Sequence, residues 1–391
     1  MSLSVGIVGL ANVGKSTLFE TLTKKQVNIS NYPFCTIDPN IGIVEVPDER
    51  LEELAAIFHS AKKIPAIVNF TDIAGLVRGA SKGEGLGNQF LAHIREVDAI
   101  LFIVRCFENQ EIIHVEKSVD PIRDIDIVNM ELIFKDLETL QKRIEKAEAD
   151  AKTGKKVIIN ELELLKNLKT ALEKGILARQ FVEQSKNLFD ESTASGLENL
   201  KTLKEIQLLT AKPGIYILNA QPKAGPPGAE NTFEVSPELV KKIKDLNSEY
   251  IVASLRDEYD SSKFTEAEKN ELGLTESKLN EIIVKSYKTL DLITFFTTGP
   301  DETRAWTIRR GTKAPQASGV IHTDFENKFI CADTINWEKL VEIGKSSPST
   351  HSTSSGQADA WSLAGKQGLL RMEGKEYIVQ DGDVIEVKHG Q

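Results

Sequence analysis

The segment Gly9-Leu-Ala-Asn-Val-Gly14-Lys15-Ser16 restricts this chain more than any other. It fits GxxxxGK[ST] at every defined position, and its two glycines let the backbone curl until successive N–H groups point at one centre. A short apolar run at residues 3–8 (LSVGIV) precedes it, and a helical pattern, STLFETLTKK, follows from Ser16. Strand, loop and helix in that order are the context a phosphate-binding loop requires. From average residue frequencies, a chance match in a chain this long has a probability of about one to two per cent, before that context is counted. The segment predicts a site for a magnesium nucleoside triphosphate, with Lys15 reaching the β- and γ-phosphate oxygens and Ser16 on the metal. Its binding set is Asn12, Val13, Gly14, Lys15, Ser16 and Thr17.

A second motif, Asp72-Ile-Ala-Gly75, follows the apolar run AIVNF, which puts the aspartate at a strand end. There it can hold a magnesium-bound water, while the Gly75 backbone N–H can meet the γ-phosphate. The residues beyond it, RGASKGEGLGN, carry Gly79, Gly83, Gly85 and Gly87. Such a loop rearranges at low cost, as a switch does, and a merely flexible surface loop has the same composition. Thr36, in NYPFCTIDPN between the first two strands, is placed either to complete the magnesium shell or to serve as an ordinary turn threonine. Guanine recognition normally rests on NKxD after a later strand of such a fold. Here that place reads Tyr216-Ile-Leu-Asn219-Ala220-Gln-Pro222, with neither the lysine nor the aspartate.

Further strand-like runs at 41–46, 66–70, 99–104, 214–218 and 250–253 alternate with helical segments, which predicts a mostly parallel, doubly wound α/β sheet. More than a hundred residues separate the run ending at Val104 from that starting at Gly214, far more than one crossover helix needs. Ile133, Leu137, Leu140, Ile144, Ala147 and Ala151 recur at coiled-coil spacing, a break falls at Thr153-Gly154, and Leu162, Leu165, Leu168 and Leu172 follow. They predict an inserted antiparallel helical hairpin whose leucines pack its core. From about Leu290 short β-type runs (AWTI, KFICA, EYIVQ, VIEV) predict a small β-rich terminal domain, and the polar stretch 345–357 predicts a loop. Arg304, Arg309, Arg310 and Lys313 crowd around Trp306, which suits RNA contact and equally suits a strand edge guarded by charge.

Composition narrows the function classes. A net charge of −10 excludes a general polyanion binder, so any RNA contact must use a local patch. Cys35, Cys106 and Cys331 form no CxxC pair, so disulfide and zinc frameworks are not expected. No apolar run is long enough to span a bilayer, and the start MSLSVGIVGL lacks a basic n-region and cleavage site. No membrane association and a cytoplasmic location are the expectations.

Several long motifs in order carry a family resemblance: GLANVGKST, NYPFCTIDPN, DIAGLVRGASKGEGLGNQF, RCFEN with IIHV beyond it, AWTIRRGTKAPQASGVIHTDFENKFICADTI and EGKEYIVQDGDVI. Together they resemble the YchF or Obg-like ATPase subfamily of the Obg-type translation-factor GTPases, and the last two look like a TGS domain. The resemblance implies a P-loop G domain over 1–128 and 206–289, an inserted coiled-coil domain over 129–205 and a β-grasp-like TGS domain over 290–391. It implies a slow Mg²⁺-dependent ATPase switch that meets the ribosome or ribosomal RNA through the TGS domain and the helical hairpin and acts in translation or stress regulation. Leu76 stands where related enzymes carry a water-orienting glutamine. The resemblance therefore implies a potassium ion at Asn12 and a part for His114, alternatively a structurally bonded histidine. Lys15, Gly75 and His114 are the catalytic candidates, and Ser16, Thr36 and Asp72 the metal ligands. The family pattern NxxE, matched by Asn219 but not by Pro222, points to Asn219 and Ala220 at the base and to ATP. GTP as ligand, a small-molecule kinase and a scaffold with a degenerate site are the alternatives.

Overall fold

The computed structural model describes residues 3–24, 40–73, 86–152, 154–222, 234–271, 277–346 and 356–390. They divide into two compact units, one holding residues 3–24, 40–42 and 69–282, the other 43–68 and 283–390. Among the described residues twelve strands run in chain order: β1 (Ser4–Val8), β2 (Ile41–Glu45), β3 (Lys62–Ile64), β4 (Ile67–Asp72), β5 (Ala99–Arg105), β6 (Gly214–Asn219), β7 (Glu249–Ala253), β8 (Leu292–Thr298), β9 (Glu302–Arg309), β10 (Phe329–Asn336), β11 (Arg371–Glu373) and β12 (Asp383–His389). The helices that matter below are α1 (Lys15–Thr23), α2 (Glu49–Phe58), α3 (Leu86–Glu96), α4 (Pro121–Ala151), α5 (Lys156–Glu173), α6 (Ala178–Gln184), α7 (Ala194–Ile206), α8 (Pro237–Asp245) and α9 (Leu255–Ser261). No helix among the described residues is long and apolar enough to cross a membrane.

The first sheet has the order β2-β4-β1-β5-β6-β7, and the pairs β1/β4, β1/β5, β5/β6 and β6/β7 are all parallel. Every residue of β5 and of β6 is buried, as strands covered on both faces must be, and this is why they read as unbroken apolar runs. The strand order steps outward in both directions from β1, so the carboxyl ends of β1, β4 and β5 open on one crevice, the usual ligand position in such sheets.

Between β5 and β6 the chain is helical, as expected. Asp120 caps α4 by accepting from the Arg123 N–H at 3.1 Å, with Pro121 at the first turn. Gly154 turns the chain with φ +73°. Arg143 reaches Glu161, Gln141 accepts from Lys169, and Lys166 meets Glu148 at 2.8 Å, so α5 returns antiparallel along α4. Ile133, Leu140, Ile144, Ala147, Leu165, Leu168 and Leu172 are buried in the seam, whereas Leu137 and Leu162 are only half-buried.

One buried carboxylate fastens this insertion to the turn that leads into β6. Asp136 of α4 is fully buried and accepts from the Leu209 and Thr210 N–H groups at 2.8 Å and from the Thr210 hydroxyl at 2.6 Å. Burial pushes its carboxyl up to about 6, against the opposing pull of those bonds.

In the second unit the sheet order is β11-β10-β12-β8-β9-β3. Its strands are β8/β9 and β10/β12 antiparallel, with β12 parallel to β8. AWTI, KFICA and VIEV fall in β9, β10 and β12 as expected, but EYIVQ forms no strand and makes one isolated bridge, Lys313 to Ile378. Its apolar character has another cause: Val379 is buried in the core beside Phe295, Phe329 and Ile385, and the Tyr377 hydroxyl and Gln380 N–H wrap onto Asp383. Helices Ala314–Ile321, Thr323–Asn327, Trp337–Ser346 and Gly356–Lys366 cover this sheet, so the unit is less purely β than its patterning suggests. The ends of the expected polar loop at 345–357 belong to two of these helices, and its centre lies outside the described residues.

The strand β3 pairs in parallel with β9, Lys62 opposite Glu302, although it lies between β2 and β4 in the chain. The helix α2 joins the same unit: Arg50 binds Asp48 and Asp381, both at under 3 Å, and Glu53 meets Lys345 at 2.7 Å.

Replacing Asp136 by alanine leaves three buried donors without an acceptor, so Asp136→Ala is expected to lose about 3 kcal/mol of stability in urea unfolding, while Asp136→Asn recovers part of it. An unchanged unfolding midpoint in the alanine variant would remove Asp136 from this role.

Candidate nucleotide site

Sterics dictate the shape of the loop between β1 and α1. A Cβ on Gly9 would stand 2.6 Å from the Ile103 carbonyl oxygen, so only glycine lets the loop leave β1 against β5. Asn12 adopts φ +62°, a left-handed conformation that asparagine tolerates better than most residues. Gly14 sits at φ +108°, and a Cβ there would come within 2.7 Å of the Asn219 side-chain nitrogen. Gly14 also precedes α1 with no side-chain cap, which leaves the first N–H groups of the helix, including those of Lys15, Ser16 and Thr17, to face a ligand.

Lys15 is buried, with its Nζ donating to the Gly9 and Leu10 carbonyls at 3.2 and 2.7 Å, which centres the amine inside the loop. Burial holds the amine down to about 8, and the nearby Asp72 charge opposes that shift. Asp72, at the end of β4, is raised by burial and pulled back by Lys15. Its Oδ1 is buried and has no hydrogen-bond partner, while its N–H donates to the Asn40 carbonyl at 3.0 Å. A buried carboxylate oxygen with no donor, and the exposed hydroxyl of Ser16 at the start of α1, are oxygen ligands of the kind Mg²⁺ takes. Thr36 and Gly75 lie outside the described residues, as do Leu76 and Cys35.

Asn219, at the end of β6, is brought to the same loop but with its amide already committed. Its Nδ2 donates to the Val13 carbonyl at 2.9 Å, and its Oδ1 accepts from the Leu255 N–H at 3.1 Å. The side chain is therefore a strut between the phosphate loop and the start of α9, which differs from direct contact with a base edge. Ala220 is buried and donates to the Ala253 carbonyl at 3.0 Å, registering the same two strand ends. Ser254 caps α9 through the Asp257 N–H at 3.3 Å. Motif spacing passes over Ser254 and Leu255, although a strand ending in a serine cap at the carboxyl edge of a parallel sheet is a usable signal.

The loop following β5 closes the site on another side. Arg105, fully buried, donates to the carbonyls of Phe107, Asn109 and Ile112 and stacks on the Phe107 ring. From the phosphate loop, Asn12 Nδ2 donates to the Ile113 carbonyl at 3.1 Å. His114 is buried; its Nδ1 accepts from the Glu116 N–H at 3.1 Å, so the neutral ring carries its proton on Nε2. That nitrogen stands 2.9 Å from Asp124 Oδ2, within ion-pair distance but outside hydrogen-bond alignment. The structure thus brings Asn12, Val13, Gly14, Lys15, Asp72 and Asn219 together, and turns the His114 ring onto α4.

The chain matches a family model described as a 50S ribosome-binding GTPase over residues 4–159. It also matches the YchF GTPase C-terminal model, described as a protein of unknown function, over residues 292–390. It is 45% identical to the ribosome-binding ATPase YchF of Bacillus subtilis, over 98% of each chain, and 43% identical to the protein of that name from Escherichia coli O157:H7, again over 98% of each. It is 40% identical to Obg-like ATPase 1 of Oryza sativa subsp. japonica, over 98% of this chain and 91% of that one. Among solved structures, the YchF GTPase of Schizosaccharomyces pombe aligns over 99% of this chain and 98% of that one, with a TM-score of 0.75 and 38% identity. With full-length relatives at this identity and a family-specific C-terminal match, the chain belongs to the YchF family of P-loop nucleoside triphosphatases.

Proposed function

We propose that this protein hydrolyses ATP to ADP and phosphate in a Mg²⁺-dependent reaction and uses the cycle as a ribosome-associated switch in translation or stress regulation, in the cytoplasm. The observation that carries the reading is the buried Lys15 amine, centred in a left-handed glycine loop and electrostatically coupled to Asp72. The names of the relatives, ribosome-binding ATPases, supply the ribosome and the adenine nucleotide. The hairpin α4–α5 and the C-terminal unit, read as a TGS domain, are the candidate contacts.

In this reading the backbone N–H groups of residues 13–17 bind the β-phosphate, and Lys15 follows charge onto the γ-phosphate as it leaves. Ser16 and Asp72, together with Thr36, would hold Mg²⁺, which would supply positive charge against the phosphates. Leu76 cannot orient water, which supports a potassium ion near Asn12 in place of an arginine finger. The Asn12 nitrogen is committed to Ile113, so only its side-chain oxygen can serve such an ion. His114 acts in this geometry as a brace for the loop that Asn12 holds, and a part in hydrolysis requires its ring to leave Asp124. Asn219 shapes the base pocket through Val13 and Leu255. GTP is the second reading, because the family matched over 4–159 and the solved relative are both named GTPases.

Removing the amine tests the enzyme directly: Lys15→Ala should lower phosphate release by a factor of about a hundred or more. Turnover that persisted at the native rate would make the loop a bystander. The depressed amine also fixes a pH dependence. Below pH 8 the free protein already carries Lys15 protonated and nucleotide affinity is flat; above it, binding must restore the proton, so affinity falls by up to about tenfold per pH unit. Calorimetric titration between about pH 7 and pH 10 would show the bend, and an affinity flat across that range would place the amine outside the phosphate contact.

A further inference from the structure

The cationic groups of this acidic chain are not distributed evenly. Those clustered around Trp306 in the C-terminal unit are engaged: Arg310 pairs with Asp291 at 3.2 Å, Lys313 with Glu376, and Arg304 stacks on Trp306 with its guanidinium carbon 4.1 Å from the ring centre. They lie on and just beyond β9, which is an interior strand of its sheet between β8 and β3.

A different surface carries cations without that compensation. An open groove of about 410 Å³ lies where the second half of α4 meets the ends of α3 and α7, within the first unit. Its walls hold five cationic side chains, Arg95, Lys135, Lys142, Arg143 and Lys146, against two carboxylates, Glu138 and Glu205. Lys135 pairs with Glu138 at 2.9 Å, and Arg143 with Glu161 at 2.6 Å and Glu205 at 3.7 Å. Lys142 and Lys146 have no carboxylate within ion-pair distance among the described residues, and both are exposed one turn apart on α4, about 6 Å along its axis. On the opposite wall Arg95 reaches Thr139 through Nη2 at 3.2 Å, while its Nε is buried without a hydrogen-bond partner. The adjacent buried carboxylate, Asp136, directs its oxygens to Leu209 and Thr210. Net positive charge, an unsatisfied guanidinium donor and room for an extended anion therefore coincide.

We propose that this groove is a phosphate-backbone site for ribosomal RNA, with Lys142 and Lys146 along one side and Arg95 on the other. The proposal rests on the ribosome association argued above and assigns its contact to the second half of α4. A groove of this kind reads charge and spacing and no base edge, so its contribution is electrostatic and salt-dependent.

Sedimentation of the full-length protein with purified ribosomes over a range of potassium concentrations tests it. Lys142→Ala/Lys146→Ala should weaken binding at least tenfold at about 100 mM salt and lower the slope of log K against log salt by about 2, one for each phosphate no longer neutralised by a lysine. Nucleotide hydrolysis without ribosomes, measured on the same preparation, should stay at the wild-type rate and certify the fold. If the wild type sediments with ribosomes and the double variant does so with equal affinity and slope, the groove is not the contact. If the wild type itself stays in the supernatant, the ribosome association fails, and the groove assignment with it.

Discussion

The side chain of Asn219 joins three parts of the chain that sequence separates widely: the phosphate loop through Val13, its own strand β6, and the start of α9 through Leu255. Because this amide lies where a Cβ on residue 14 would go, it also explains why that position must be glycine, beyond the positive φ that already favours it. A loop fixed from behind in this way can hold Lys15 buried and hold its amine down to about 8, so that the amine still carries its proton near neutrality when phosphate binds. From the front, Asn12 ties the same loop to Ile113, on a segment that Arg105 shapes from beneath. The loop is thus held by hydrogen bonds from Asn219, from Asn12 and from the Lys15 amine itself.

Much of this is legible in the sequence, and the residues show why. The loop 9–16, the strands of the first sheet and the hairpin are local patterns: a motif, buried runs of unbroken apolar residues, and heptad-like leucines with a glycine break. Where pattern and partner are distant, legibility ends. The pairing of β3 with β9 and the packing of α2 beside Asp381 join segments more than two hundred residues apart, and no local signal in KKI announces either. EYIVQ looks like a strand because Val379 is buried, but its polar neighbours turn around Asp383.

The functional residues divide the same way. Residue type and spacing suffice to nominate Lys15, Ser16 and Asp72 for the site, whereas what Asn219 does depends on what its two amide ends meet, and that is a property of the fold. The sequence leaves His114 as either an actor or a bonded residue, and the described geometry has its Nδ1 bonded to the Glu116 N–H and its Nε2 close to Asp124. The cations around Trp306 look available in the sequence because Asp291 and Glu376 are remote from Arg310 and Lys313 along the chain, while those of α4 are indistinguishable there from ordinary coiled-coil charges.

Absence of the NKxD lysine and aspartate, together with an asparagine occupied as a strut, leaves a base pocket with no acceptor pair for guanine among the motif residues. The central claim is therefore an adenine nucleotide in this loop. Equilibrium titration with a fluorescent nucleotide in potassium and magnesium, competed by unlabelled ATP and GTP, tests it most directly. ATP is expected to bind tighter by about tenfold or more; GTP binding tighter would mean that residues around Pro222 rebuild the guanine contacts, and would contradict it.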